Sequence, residues 1–180
     1  MGFELLGWPP DGPMLDLDHE RFAYAGKFVM STTGKAVWRD GDVVAAVAFS
    51  DDRTDPHRLW LRYLTVRSDR RGEGIGPRLV EATVGRAGEQ GYDLVAIAVN
   101  NPYAYEALYR AGFSYTGETT GVAELVLERP AADQATDLDS DRYRAGLARF
   151  AERDLTGHER NFLEAKRARG PPSPDVDPDT

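Results

Sequence analysis

The sequence contains no cysteine. That absence excludes a disulfide framework, a thiolate zinc site and any mechanism that passes through an acyl-cysteine. Lysine is scarce too: it occurs only at Lys27, Lys35 and Lys166, and arginine supplies the rest of the positive charge. No run approaches the ~18 apolar residues that a membrane-crossing helix needs. The first 20 residues carry prolines and acids where a signal peptide has a basic and then an apolar segment. A cytoplasmic location without a membrane partner is the expectation. His19, His57 and His158 stand far apart, so no metal site is expected.

What the chain does have is 180 residues, 41% of them hydrophobic, enough to bury the core of one compact domain with an extension. Thirty acidic residues against 22 basic ones give a formal charge of -8, which does not point to nucleic acid as a partner. The acidic bias fits a salt-adapted cytoplasm and an ordinary acidic protein of a GC-rich genome equally, and both readings stand.

Residues 1–27 are interrupted by Pro9, Pro10, Gly12 and Pro13, and only Met14 to Leu17 suggests a short strand. Phe28 to Met30, Ala36 to Trp38 and Val43 to Phe49 read as an antiparallel meander, and Asp51 to His57 as a loop. Leu59 to Val66 reads as a strand with Leu59, Leu61, Tyr63 and Thr65 on one face and Trp60, Arg62, Leu64 and Val66 on the other. Ile75 to Gln90 has helical spacing and is closed by Gly91, and Leu94 to Val99 is a continuous apolar strand. Asn101-Pro102 starts a helix that runs to about Ala111. Phe113 to Thr116 and Ala123 to Glu128 form an antiparallel pair. Beyond Pro130 come a linker, two helices over 140–153 and 159–169, and an acidic, proline-rich tail. Thr156 and Glu159 have the spacing of a capping box.

The segment Arg70-Arg71-Gly72-Glu73-Gly74-Ile75-Gly76 lies between a strand and a helix. Backbone N–H groups of such a turn converge on an anion, and the helix N-terminus adds about half a positive charge at the same point. The spacing supplies neither a dinucleotide GxGxxG nor a P-loop. On these residues alone, a tight strand-to-helix turn without a ligand competes with a phosphate site.

The stretch from Leu61 to Glu118 resembles the core of the GCN5-related N-acetyltransferases. Arg71-x-x-Gly74-x-Gly76 is similar to their Arg/Gln-x-x-Gly-x-Gly/Ala loop. Leu108-Tyr109-Arg110-Ala111-Gly112-Phe113 is similar to their Leu-Tyr-x-x-x-Gly-Phe ending, one residue shorter. The resemblance implies an α/β (α+β) fold: a single domain over 1–130 with a central mixed, mostly antiparallel sheet, a splayed parallel pair and flanking helices. A C-terminal helical extension occupies 131–169, and the tail 170–180.

It also implies acetyl-CoA as cosubstrate, with backbone groups of Leu64 and Val66 meeting the pantetheine arm and Arg71, Gly72, Gly74, Ile75 and Gly76 holding the pyrophosphate. Tyr109 takes the part of the tyrosine that protonates the departing thiolate, with packing in the core as its rival role. Asn101 is carried as a cofactor contact. The family's asparagine lies six residues before the leucine of its Leu-Tyr pair, a position held here by Pro102, so Asn101 or Asn100 reaches it only through a shifted helix start. A helix cap explains Asn101 equally well.

The base is open among Asp51, Asp52, His57 and Glu106, and a water relay or an amine that binds already neutral needs no dedicated side chain. The implied function is acetyl transfer to an amine of a small molecule or protein by direct attack in a ternary complex. A non-catalytic acyl-CoA-binding module, and another acyl donor such as succinyl-CoA, are the alternatives. Leu147, Phe150, Leu155 and Phe162 need an apolar partner, either the main domain or a second subunit in a homodimer.

Overall fold

The computed structural model describes residues 1–132 and 139–172. The expected linker falls largely on 133–138, and the tail beyond residue 172, outside the described residues. Hydrogen bonding orders seven strands β1-β2-β3-β4-β5-β7-β6: β1 (Gly2–Gly7), β2 (Gly34–Asp40), β3 (Asp42–Asp51), β4 (Arg58–Val66), β5 (Leu94–Val99), β6 (Ser114–Thr119) and β7 (Leu125–Pro130). Four α-helices accompany them: α1 (Ile75–Gln90), α2 (Pro102–Arg110), α3 (Ser140–Ala151) and α4 (Gly157–Arg169). The sheet is mixed and mostly antiparallel, with a parallel pair, as the sequence predicts.

The chain divides into two compact units. The first comprises Met1–Ala96 with a short segment beginning at Pro130. The second comprises Ile97–Arg129 with the C-terminal helices.

In the first unit, β1 to β4 pair antiparallel in sequence order. Two expectations fail at the N-terminus. A strand forms at Gly2–Gly7 where none is predicted, and Met14 to Leu17 and Phe28 to Met30 are not strands. The reason is tertiary: Leu17, Phe22, Ala25 and Phe28 pack as a non-strand cover on Val37, Ala46 and Ala48 of the sheet. α1 lies over the other face, where a Cβ on Gly76 would meet Val66 Cγ2 at 3.3 Å and Leu64 Cδ2 at 4.0 Å.

The register of β4 corrects its predicted alternation. Val47 pairs with Leu64 and Ala48 with Tyr63, but Phe49 pairs with Leu61, leaving Arg62 as an extra residue. Partners across a ladder share a face, so Leu59 and Leu61 lie on the same face as Leu64 and Val66. Trp60 lies on the face of Tyr63 and Thr65. A bulge of this kind breaks the period of two and re-aims the side chains that flank it.

The second unit has its own core. Tyr105, Tyr109, Tyr143, Phe113 and Phe150 are fully buried. The Tyr105 ring lies 4.8 Å from that of Tyr109, 5.7 Å from Tyr143 and 5.6 Å from Phe150. α3 approaches so closely that a Cβ on Gly146 would fall 2.1 Å from the Tyr105 hydroxyl. The α4 capping box is present: Thr156 accepts from Glu159 N, and the Glu159 carboxylate accepts from Thr156 N. Leu147 and Phe150 are buried within this unit, as is Leu163 of α4. Phe162 packs against Tyr103 in a tilted contact with centroids 4.5 Å apart.

Candidate active site

The glycine turn has the features of an anion cradle. Gly72 and Gly74 adopt φ of +84° and +75°, the left-handed region that glycine enters without steric cost. Gly74 caps α1 with no side-chain acceptor. Among the described residues, no backbone acceptor is found for the N–H groups of Gly72, Gly74, Ile75 and Gly76. Pro77, next in the helix, has no N–H to offer. These uncommitted donors at the start of a 16-residue helix fit a pyrophosphate.

The two arginines of the turn differ. Arg70 is committed, donating to both Glu73 oxygens at 2.9 Å and to Asp40 at 3.0 Å, and these carboxylates raise its pKa. Arg71 is exposed and forms no ion pair among the described residues, so it is the guanidinium available to a phosphate. Glu73 serves Arg70 rather than pointing freely to solvent. Leu64 and Val66, four and two residues from the end of β4's run into Ser68, are half-buried on the α1 face.

Beside the bulge lies a cleft of about 710 Å³, lined by Met30, Thr33, Ser50, Asp51, Trp60 and Tyr63 among others, with Arg53 and Arg62 in its wall. Sequence reasoning did not single it out. The available signal was Arg62 itself, a charged residue inside the mostly apolar stretch Leu59 to Leu64.

The base candidates separate sharply. Asp52 accepts from Thr54 N at 2.8 Å, Thr54 Oγ1 at 2.8 Å and Arg58 at 3.2 Å. The Thr54 N–H, foremost among these, holds its carboxyl below the usual range, which makes it a poor base. His57 is exposed, 3.9 Å from Asp93. Glu106 is buried in the second unit, where Tyr143 and Arg169 donate to it and Lys166 and Arg110 each lie 3.8 Å away. Asp51 lines the cleft and accepts from the Tyr92 hydroxyl.

Tyr109 is fully buried, and its phenol oxygen accepts the Tyr115 N–H at 2.8 Å. Burial pushes its pKa up, opposed by the neighbouring Tyr105 hydroxyl and the Tyr115 N–H. The shortened motif bears on this placement. Counted back from Gly112, the position four residues earlier belongs to Leu108, and Tyr109 falls one step further round the helix. The same count puts Asn101 at the asparagine position of the family pattern. Its side chain caps α2, accepting from Ala104 N at 2.8 Å and donating to Asn100 at 3.2 Å.

The model of the Acetyltransferase (GNAT) family matches residues 5–113, more than half of the chain. The chain belongs to the GNAT acetyltransferase family. Membership implies acyl transfer from acetyl-CoA. Comparison with curated proteins returns no match. Among solved structures, a protein of the GNAT family from Desulfovibrio desulfuricans aligns with a TM-score of 0.50 at 15% identity, over 56% of this chain and 70% of that one. A Salmonella typhimurium protein solved with its cofactor acetyl-CoA aligns with a TM-score of 0.50 at 15% identity, over 58% and 68%. At these identities the likeness is to the GNAT fold alone. Among the described residues, no helix of this GNAT protein is long and apolar enough to cross a membrane.

Proposed function

We propose that this GNAT protein is an N-acetyltransferase that binds acetyl-CoA at the Arg71–Gly76 turn and along β4, and passes the acetyl group directly to an amine. The observation that carries this reading is the set of unpaired N–H groups of Gly72, Gly74, Ile75 and Gly76 at the start of α1, with Arg71 unpaired beside them. Acetyl-CoA supplies the acetyl group as a thioester. The turn and Arg71 neutralise its pyrophosphate, while backbone groups of Leu64 and Val66 orient its pantetheine arm.

The route from the turn back along β4 leads to Tyr63 and the bulge, so the cleft beside them is the place for the amine. The amine must first shed the proton of its ammonium form. Its lone pair then forms the C–N bond as the C–S bond breaks, and the second nitrogen proton balances the one taken up by the departing thiolate. Asp51, on the cleft wall, is the carboxylate placed to guide the first proton to water. Two roles compete for Tyr109, proton donor to the thiolate and packing tyrosine, and its buried, hydrogen-bonded oxygen favours packing. Asn101 caps the start of α2, accepting from Ala104 N at 2.8 Å.

The test is thiol release from acetyl-CoA across a panel of amines, alongside calorimetric titration with acetyl-CoA. Binding with amine-dependent thiol release supports the enzyme. Binding without release for any amine would make the protein an acyl-CoA-binding module, and a faster reaction with succinyl-CoA would reassign the donor.

A further inference from the structure

In an acidic chain the arginines of the first unit mostly find carboxylates: Arg39 pairs with Glu4, Arg58 with Asp52, Arg67 with Asp69, Arg70 with Asp40 and Glu73, and Arg86 with Glu89. The two arginines of the cleft do not. Arg62, the extra residue of the β4 bulge, donates to Ser50 Oγ at 2.8 Å and has no carboxylate partner among the described residues. Arg53 has none either. Burial, and then the neighbouring Arg53, lower the Arg62 pKa, opposed by Asp52 and Tyr63. The cleft therefore holds two guanidiniums that no carboxylate pairs with directly among the described residues, with Asp51 and Asp52 elsewhere on its lining.

A third positive charge stands behind the wall. Lys35 is buried with no carboxylate partner among the described residues, donating to Met30 O at 2.5 Å, Thr33 O at 3.0 Å and Thr33 Oγ1 at 3.1 Å. It thereby fixes the loop that forms the far side of the cleft. The remaining lining is mixed, with Thr32, Thr33, Ser50, Asp51 and Asp52 beside an apolar part. Met30 and Tyr63 line it, and Trp60 presents its ring with the Arg62 guanidinium 5.1 Å from the centroid.

We infer that the acceptor is an amine that also bears a carboxylate, an amino acid with an apolar or aromatic side chain, and that Arg62 with Arg53 binds its carboxylate. This rests on the acetyl-transfer reading above and names the substrate class of that site. A planar guanidinium meets a carboxylate through two parallel hydrogen bonds, which an amide or a bare amine cannot reproduce. Trp60, Met30 and Tyr63 offer the apolar contact for the side chain. A cleft of this volume holds a small molecule. A polyamine brings no carboxylate for Arg53 and Arg62 to bind.

The test compares matched sets of amines with the full chain and acetyl-CoA: the common L-amino acids, their carboxamides and the corresponding decarboxylated amines, with spermidine as the polycation. The expected result is a kcat/KM for phenylalanine, leucine or methionine about tenfold or more above that of its carboxamide and amine. Arg62→Gln and, separately, Arg53→Gln should lower kcat/KM for the acids by a similar factor through KM. They should leave the carboxamides and the calorimetric affinity for acetyl-CoA unchanged. Equal turnover of carboxamides, a preference for spermidine, or an undiminished preference in both variants would overturn the inference. So would turnover of none of the acids by protein that binds acetyl-CoA, a result that leaves the cofactor site standing. Failure of the folded protein to bind acetyl-CoA would remove the site itself.

Discussion

Replacing Tyr109 by phenylalanine separates the two roles open to that residue. The ring is fully buried, lies 4.8 Å from both the Tyr105 and Tyr143 rings, and accepts the Tyr115 N–H at 2.8 Å. Phenylalanine keeps the ring contacts and deletes only the oxygen. That leaves the Tyr115 N–H without an acceptor in the interior, a cost of about 1–3 kcal/mol. In a chain of this size 1 kcal/mol is about 2–4 °C in Tm, so Tm should fall by roughly 2–12 °C. A phenol acting as general acid would instead show itself in kcat, by about 100- to 10,000-fold. The expectation for a packing tyrosine is a lower Tm by circular dichroism, with kcat for thiol release and acetyl-CoA affinity held within about twofold below the transition. A loss of kcat beyond about 100-fold at unchanged Tm would refute the argument from burial and restore Tyr109 as the acid.

Gly146→Ala should destabilise the second unit by about 1–3 kcal/mol through overpacking, because the new Cβ would fall 2.1 Å from the Tyr105 hydroxyl, which is itself bonded to Tyr143 O at 2.9 Å. Gly85→Ala, in α1 with open space around its Cβ, should instead raise stability by about 0.5–1 kcal/mol; thermal melts of the pair check both. Glu106→Gln should cost about 1–3 kcal/mol in chemical denaturation, since it leaves the partly exposed Arg169 and Lys166 facing a neutral group. Asp52→Asn should destabilise at neutral pH. The lowered carboxyl pKa of Asp52 means that its stabilisation is present above about pH 4 and is lost as pH falls through the folded value, so the two melting curves should converge in acid.

The legible parts of this chain were those with local causes. α1 and β5 match their predicted limits because an uninterrupted helical period ending at Gly91 and an apolar run need no distant partner to be read. The turn between β4 and α1 was legible for the same reason: two glycines at positive φ and a helix start lie within a few residues. What escaped was set by distant contacts. β1 forms because Gly2–Gly7 pairs with β2, 30 residues away, and its own composition is unremarkable. Phe28 covers the sheet instead of joining it. The bulge at Arg62 reversed the facing of half of β4 and so concealed the cleft, since alternation read from sequence assumes an unbroken ladder. At Tyr109 the motif is one residue short, and in a helix one residue is a turn of about 100°, so the sequence leaves both of its roles open.

The most direct test of the central claim is calorimetric titration of the full chain with acetyl-CoA, repeated for Arg71→Ala and Arg70→Ala. Binding should weaken with added salt and should fall about fivefold or more when the unpaired Arg71 is removed. It should change little with Arg70, already held by Asp40 and Glu73. The absence of binding by folded protein, or binding untouched by the loss of Arg71 and insensitive to salt, would contradict the account.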